Sequence, residues 1–303
     1  MANLAVTDRP PMTPGRLALR PNFWRWLGVV PFFLFAIAFI FWPSANLFLG
    51  AFRTTSGDFT LAHIADLRQP FILEAYWLSI RISFVTALGG GLFGFLLAYA
   101  AILGGLPRFV RTLLMTFSGV ASNFAGVPLA FAFIASLGRV GFVTLLLRDL
   151  FGIQLYQYGF NLYSFWGLSV TYMYFQFPLM VLIIAPALDG LRREWREAAE
   201  NLGASQWQYW RYVALPILLP TLLGTMILLF GNAFGAYATA YGLTGGSLNL
   251  VPLLIGQQVR GDVLNNPGLG YALALGMVVV MAISLIGYTW LQRRTSRWLR
   301  ETR

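Results

Sequence analysis

Residues 27–48 read LGVVPFFLFAIAFIFWPSANLF, an apolar run without a single charged residue. About 20 apolar residues in a helix cross a hydrocarbon core of roughly 30 Å, and this run is too long for the apolar part of a typical signal peptide. We therefore interpret it as an uncleaved first membrane span. The segment before it, residues 1–26, is a polar tail in which arginines outnumber the single acid.

Further apolar runs follow along the chain. They lie at about 82–102, 113–137, 163–188, 217–241 and 269–291, so that 27–291 forms one transmembrane domain before a basic tail, 292–303. Small and polar residues, with Pro128, interrupt the third run and predict irregular backbone there. Residues 138–159 contain no apolar run long enough to span a membrane. The sequence thus predicts an all-α membrane protein of about six transmembrane helices.

The composition also favours the membrane class, because 58% of the residues are hydrophobic and only 11% are charged. All 21 basic residues are arginine. Without lysine the sequence contains neither a Walker A loop nor a Schiff-base lysine, so energy from ATP would have to come from another chain. The lack of cysteine and the single histidine, His63, argue against thiol chemistry and against a multi-ligand metal centre.

The charge of the chain bears on its orientation. A net charge of +10 could indicate nucleic acid, but the arginines are scattered beside apolar runs, as the positive-inside rule requires. We therefore predict membrane lipid and no nucleic acid as a partner. Six spans place both arginine-rich termini in the cytoplasm, whereas five or seven would leave one on the wrong side. The predicted location is a bacterial inner (plasma) membrane.

A second stretch points to the function. Residues 193–216 read REWREAAENLGASQWQYWRYVALP and separate the fourth and fifth predicted spans. Glu194 and the alanines that follow it are good helix material, and Gly203 can end a helix. Apolar residues then recur at three-residue spacing before Pro216. The pattern predicts a helix, a turn and a second helix at the membrane face.

This segment resembles a known family motif. Glu197-Ala198-Ala199, three residues, Gly203, nine residues and then Val213-Ala214-Leu215-Pro216 is similar to the EAA loop of binding-protein-dependent ABC importer permeases. Val213 stands where that family commonly has isoleucine. By this resemblance the segment 189–216 is a coupling loop that docks into a separate ATPase. The residues expected to couple are Glu197, Ala198, Ala199, Gly203, Leu215 and Pro216.

The resemblance implies the rest of an assembly. The chain would have the type I ABC importer permease fold and be a transport subunit rather than an enzyme. It would form half of a pathway with a second permease, identical or homologous, and bind no cofactor itself. Two ATPase subunits would bind ATP and Mg²⁺, and a periplasmic or lipid-anchored binding protein would deliver the solute. Residues 240–259 and 265–280 are similar to the polyamine (spermidine/putrescine) group, and also to permeases for thiamine, ferric iron or organophosphonates. The predicted solute is a small polar one such as a polyamine.

Polar residues within the predicted spans are the candidates for the translocation pathway, because they are costly in lipid unless they face partners or water. The candidates are Ser122, Asn123, Tyr172, Tyr174, Gln176, Asn232, Tyr237, Thr239 and Tyr241. Any one of them is more often a hydrogen bond between helices than a ligand. We rank Asn123, Tyr174 and Asn232 first, and predict no catalytic and no metal-binding residue.

Two other classes of function are the alternatives. A secondary, ion-coupled carrier normally has ionisable residues inside the membrane, and the predicted spans contain no acid and no histidine. An intramembrane enzyme would need a serine with histidine, paired aspartates or a zinc set, which the spans also lack. For residues 193–216 the alternative is an amphipathic helix on anionic lipid, which their acidic residues oppose.

Overall fold

A computed structural model describes residues 28–54, 56–260 and 266–296. The predicted tail 1–26 and residues 297–303 of the basic tail lie outside these ranges. Within them the chain is almost entirely helical, and extended backbone pairs only in an isolated bridge between Arg53 and Phe59. Residues up to Asn46 and residues from Leu47 onward form separate compact units. All helices after α1 lie in the second unit.

The helices are α1 (Val30–Gly50), α2 (Ala62–Asp66), α3 (Pro70–Leu103), α4 (Arg108–Asn123), α5 (Val127–Leu137), α6 (Phe142–Phe151), α7 (Phe165–Asp189), α8 (Arg193–Asn201), α9 (Gln206–Phe234), α10 (Tyr237–Thr244), α11 (Val251–Arg260) and α12 (Pro267–Ser296). Two of these contain a π-helical stretch, Ile37–Phe41 in α1 and Trp210–Ala214 in α9. In the described part of the chain six helices are long and apolar enough to cross a membrane. The prediction of an all-α protein with about six transmembrane helices is confirmed.

Helix α3 begins at Pro70 rather than at about residue 82. Proline suits the first turn of a helix, since its missing N–H would have no partner there. The charged Arg81 directly precedes the predicted span and suggested that the span begins after it. In the structure its guanidinium lies over the rings of Trp77 and Phe165, 5.9 and 5.3 Å from their centroids. The longer helix therefore includes Glu74 and Arg81. The shorter predicted ranges contain no acid, whereas this helix contains one.

The predicted third span, 113–137, is divided between two helices. The helix α4 ends at Asn123 and α5 starts at Val127, which agrees with the irregular backbone expected near Pro128. The apolar stretch long enough to span is instead Val127–Phe151, across α5 and α6. Part of the segment 138–159, predicted to lie outside the spans, thus belongs to a candidate span.

Helix α7 is the centre of the bundle and the most buried of the candidate spans. It packs closely against α3, where a Cβ at Gly90 would collide with Gln176 and one at Gly94 with Met180. Small residues that let helix backbones approach are typical of membrane helix packing. Gly90 and Gly94, four residues apart on α3, therefore act in packing.

The contacts distinguish two ends of the bundle. At one end Leu103 of α3 and Trp210 of α9 border a cavity beside α8. At the other end the side chain of Asn249 donates a hydrogen bond to the carbonyl of Phe71, near the start of α3, at 2.9 Å. The start of α12 is also there, because the Tyr76 hydroxyl donates to the carbonyl of Leu273. Residues 193–205 and residues 245–250 consequently lie at opposite ends.

Candidate functional site

Helix α8 of the EAA segment (residues 193–216) is held by local interactions. Glu194 lies in its first turn, where the helix dipole favours a negative charge. Arg193 pairs with Glu197 and Arg196 with Glu200, each four residues apart, with N–O distances of 2.8 and 2.9 Å. The hydrogen bond from Arg196 to Glu200 raises the pKa of the guanidinium. No residue of α8 is buried.

A tight turn links α8 to the next helix. Gly203 has φ +78°, a conformation that side chains rarely adopt. The amide of Ala204 donates to the Ala199 carbonyl and the amide of Gly203 to the Glu200 carbonyl, the two bonds of a Schellman motif. Ser205 then caps α9 in a reciprocal capping box with Gln208. The structure therefore has the predicted helix, turn and helix.

The second helix of the EAA segment is part of a membrane helix. The sequence predicted a span from residue 217, but α9 runs without a break from Gln206 to Phe234. Pro216 has no N–H to donate one turn back, and the π-helical stretch Trp210–Ala214 directly precedes Leu215-Pro216. Apolar side chains at the turn are exposed, Leu202 by 87% and Trp207 by 72%. The segment thus presents an apolar tip that is rigidly joined to a span.

Far from this tip, two short non-helical segments separate consecutive helices. The first helix break is Phe124–Gly126, between α4 and α5. Gly126 has φ +76° and ψ −150°, a region essentially restricted to glycine. Its amide donates to Thr239 Oγ1 of α10 at 2.7 Å, although the two residues are 113 positions apart. Thr239 thereby satisfies a backbone donor that the interrupted helix would leave unpaired.

The second helix break, Gly235–Ala236, separates α9 from α10. The buried Tyr172 of α7 donates from its hydroxyl to the Ala236 carbonyl at 2.8 Å. One turn further along α7, the buried Gln176 donates from Nε2 to the Leu229 carbonyl at 2.9 Å. These two side chains share a face of α7 because they are four residues apart. Together they hold α9 and its break against the central helix.

The three residues ranked first for the pathway all lie next to these breaks. Asn123 is exposed and ends α4, directly before the first break. Asn232 is exposed on α9, three residues before the second. Tyr174 is half-buried, and its ring contacts Phe124 of the first break edge-on, with centroids 6.2 Å apart. In the structure each of these three residues lies beside a break, but the contacts of Tyr174 are mainly packing contacts.

Of the other polar candidates, Ser122 donates a hydrogen bond to the Gly119 carbonyl of its own helix at 3.2 Å, and the remaining five divide into two groups. Tyr172, Gln176 and Thr239 are buried and bind backbone groups, so they hold helices rather than face a pathway. Tyr237 and the half-exposed Tyr241 stack on one another with centroids 5.6 Å apart. The four-residue spacing of Tyr172 and Gln176 was a signal in the sequence that they share one helix face. In the described ranges no group of His, Cys, Asp or Glu could hold a metal ion.

A family model described as "Binding-protein-dependent transport system inner membrane component" matches residues 79–297. The chain belongs to this family. With six apolar helices, it is a multi-pass inner-membrane protein. The family assignment agrees with the resemblance of residues 193–216, which lie inside the matched range.

Among curated relatives, the sulfate transport system permease protein CysT of Escherichia coli (strain K12) is 28% identical over 181 residues, 59% of this chain. The chain spans only 61% of the length of that relative. The molybdenum transport system permease protein ModB of the same organism is 27% identical over 226 residues, which cover 73% of this chain and 93% of ModB. Neither relative is described as a polyamine permease.

Solved structures share the fold. A bacterial ABC transporter involved in the import of the acidic polysaccharide alginate has a chain that matches with a TM-score of 0.70 at 16% identity, covering 90% of this chain and 96% of that one. A chain of the inward-facing MetNI methionine ABC transporter matches with a TM-score of 0.52 at 18% identity, over 74% and 95%. Both chains belong to ABC transporters, and the shared fold extends along most of this chain.

Proposed function

We propose that this chain is the permease subunit of an ATP-driven importer and is not itself an enzyme. A separate ATPase binds ATP and Mg²⁺ and supplies the energy. The observation that carries the proposal is the EAA segment, an exposed helix and turn joined directly to a membrane helix. Because a docked segment can pass a rigid-body motion into the helices attached to it, this arrangement suits mechanical coupling.

The path of the motion follows α9. Its first turn lies in the EAA segment and its last turn at the second helix break, with no interruption between Gln206 and Phe234. A push on the exposed tip at Leu202 and Trp207 would therefore move the break. Glu197, half-exposed on α8, is the polar contact that we assign to the ATPase. In this proposal the EAA segment and both termini lie in the cytoplasm.

The pathway then runs beside the two helix breaks. Non-helical backbone within a membrane is tolerated where it is buried in protein or lines a water-filled cavity, and discontinuous helices often form solute sites in transporters. We assign Asn123 and Asn232 to its lining and Tyr174 to its wall. A second permease, identical or homologous, completes the pathway, and a periplasmic or lipid-anchored binding protein delivers the solute.

The solute that we propose is a small oxyanion. CysT and ModB are permeases for sulfate and molybdenum, and the comparisons give no support to the polyamine assignment. A polycation would be favoured by carboxylates near its route, but none of the residues that form or hold the helix breaks is acidic. An ion-coupled carrier is the competing function, and it would need no ATPase.

The experiment is to purify the chain together with the ATPase of its transporter, in forms carrying Glu197→Arg or Gly203→Asp. We expect normal amounts in the membrane but at least about a tenfold loss of ATPase capture and of uptake, equivalent to about 1.4 kcal/mol. Glu200→Arg is the matched control, since it breaks an ion pair of the same spacing outside the motif. Wild-type capture and uptake by both variants would refute the coupling assignment.

A further inference from the structure

A recess of about 520 Å³ lies at the end of the bundle opposite the EAA segment. It is lined by Arg139 in the turn after α5, by residues of α6 and by residues 154–161, which precede the start of α7. Its polar wall consists of Arg139, Thr144, Arg148, Gln154, Gln157 and Asn161. Under the proposed orientation it opens on the outer side of the membrane, where solute arrives. We call it the arginine recess.

The two arginines of the recess are held in different ways. The guanidinium of Arg139 lies over the ring of Tyr156, 5.7 Å from the centroid. That ring is itself fixed, because its hydroxyl donates to the Leu137 carbonyl at 2.9 Å, and burial raises the pKa of the phenol. Arg148 pairs with Asp149 at 2.8 Å, and both side chains are more than half exposed. Arg139 therefore presents its charge without a carboxylate partner among the wall residues.

An unsatisfied hydroxyl lies in the same wall. Thr144 is only 7% exposed, and its Oγ1 has no hydrogen-bond partner. A buried hydroxyl without a partner costs about 1–3 kcal/mol, so one that persists usually has a role. Because its hydrogen can rotate, the Thr144 hydroxyl can donate to an acceptor that enters the recess.

The chemistry of the wall selects a class of ligand. Two guanidiniums supply planar sets of N–H donors, and the two glutamine amides and Thr144 add neutral donors. No carboxylate is part of the wall. A compact anion with several acceptor oxygens fits this set, whereas an amine cation would meet the like charge of Arg139 and, in Arg148, a guanidinium that is already paired with Asp149.

We propose that the arginine recess binds a small tetrahedral oxyanion, of the sulfate or molybdate type, before it reaches the helix breaks. This inference rests on the proposed function for the side of the membrane that it faces. Apart from Thr144, the contacts are with exposed side chains, so binding is weak and sensitive to salt. The recess therefore raises the local concentration of the solute, while selection is left to the binding protein.

The test uses the full chain in nanodiscs of neutral lipid, titrated with radiolabelled sulfate and, separately, with molybdate. Arg139→Gln should weaken binding about tenfold, the effect of one lost hydrogen bond to a charged group. Asp149→Asn should strengthen binding by up to about fivefold, since it releases Arg148 from an exposed pair. Arg108→Gln, the same charge change at the start of α4, is the control and should bind as wild type.

The outcomes separate this inference from the proposed function, because ATPase capture is measured on the same preparations. Saturable binding that falls with Arg139→Gln, rises with Asp149→Asn and is unchanged in Arg108→Gln supports the recess. A folded chain that captures the ATPase but binds neither anion overturns the recess alone. Equal binding by all variants, or displacement of the anion by a spermidine that binds in its place, also overturns it. Anion binding without ATPase capture leaves the recess standing and refutes the transport assignment.

Discussion

The EAA segment and the first helix break each depend on a glycine with positive φ, but the EAA segment and the two breaks are built differently. Gly203 would meet no atom within 4 Å if it carried a Cβ, and the turn around it is closed by neighbours in sequence. Gly126 is held by Thr239, 113 positions away, and the second break by residues 64 and 53 positions from their acceptors. The first region is a local structure on the surface, whereas the second exists only in the assembled bundle.

The largest effect on stability should follow from Gly126→Ala. A Cβ at φ +76°, ψ −150° is strained by about 1–3 kcal/mol, and relief of that strain would displace the amide from Thr239. We expect a clear fall in the thermal unfolding midpoint of the purified protein. Gly119→Ala is the control, because Gly119 lies within helix α4, where an added methyl group would meet no atom within 4 Å, and alanine favours helix. Equal midpoints for the two variants would mean that the first break is not a fixed feature.

A smaller effect is expected for the side chains that hold the second break. Tyr172→Phe removes a hydrogen bond from α7 to the second break, and Gln176→Leu removes one from α7 to α9. Each bond is worth about 1 kcal/mol or somewhat less in a membrane. Tyr174→Phe keeps the ring contacts with Phe124 and Phe133 and serves as the control. The thermal unfolding midpoints of the three purified variants are measured, and the variants are ranked by them. If Tyr174→Phe is the most destabilising, the assignment of Tyr172 and Gln176 as braces is wrong.

The smallest effect on global stability is expected in the EAA segment. Ser205→Ala removes the capping box and costs the local helix about 1 kcal/mol. Since this helix end is exposed, the cost should appear as faster hydrogen exchange in residues 206–209, with an unchanged thermal midpoint. Gln206→Ala, which leaves both capping bonds intact, is the control. A large drop in the midpoint would show that the segment is coupled to the whole bundle even without an ATPase.

The same contrast explains which features were predictable. The EAA segment was predictable because Glu194, the alanines that follow it and Gly203 act on near neighbours. The apolar runs likewise indicated the membrane helices, and Pro128 indicated irregular backbone. The start of α3 was misplaced because Arg81 looks like a boundary until the rings of Trp77 and Phe165 are seen around it.

The candidate site shows the limit more clearly. The sequence predicted Tyr172, Gln176 and Thr239 as pathway candidates together with Asn123 and Asn232, because all five are polar residues in apolar runs. Only the fold separates those that bind backbone from those that are exposed. The arginine recess left no motif at all, since its wall comes from a helix, a turn and an irregular segment that are ordinary one by one.

By itself, the sequence indicated a membrane protein of about six spans that resembles the binding-protein-dependent importer permeases, and an EAA segment that is a helix, a turn and a helix. Hydrophobic length, capping and four-residue pairing act between near neighbours, so they are visible in the order of residues. The tertiary structure alone decided where the helices break and what holds each break. Those outcomes depend on buried backbone groups finding partners on other helices, and the identity of such partners emerges only when the helices are packed.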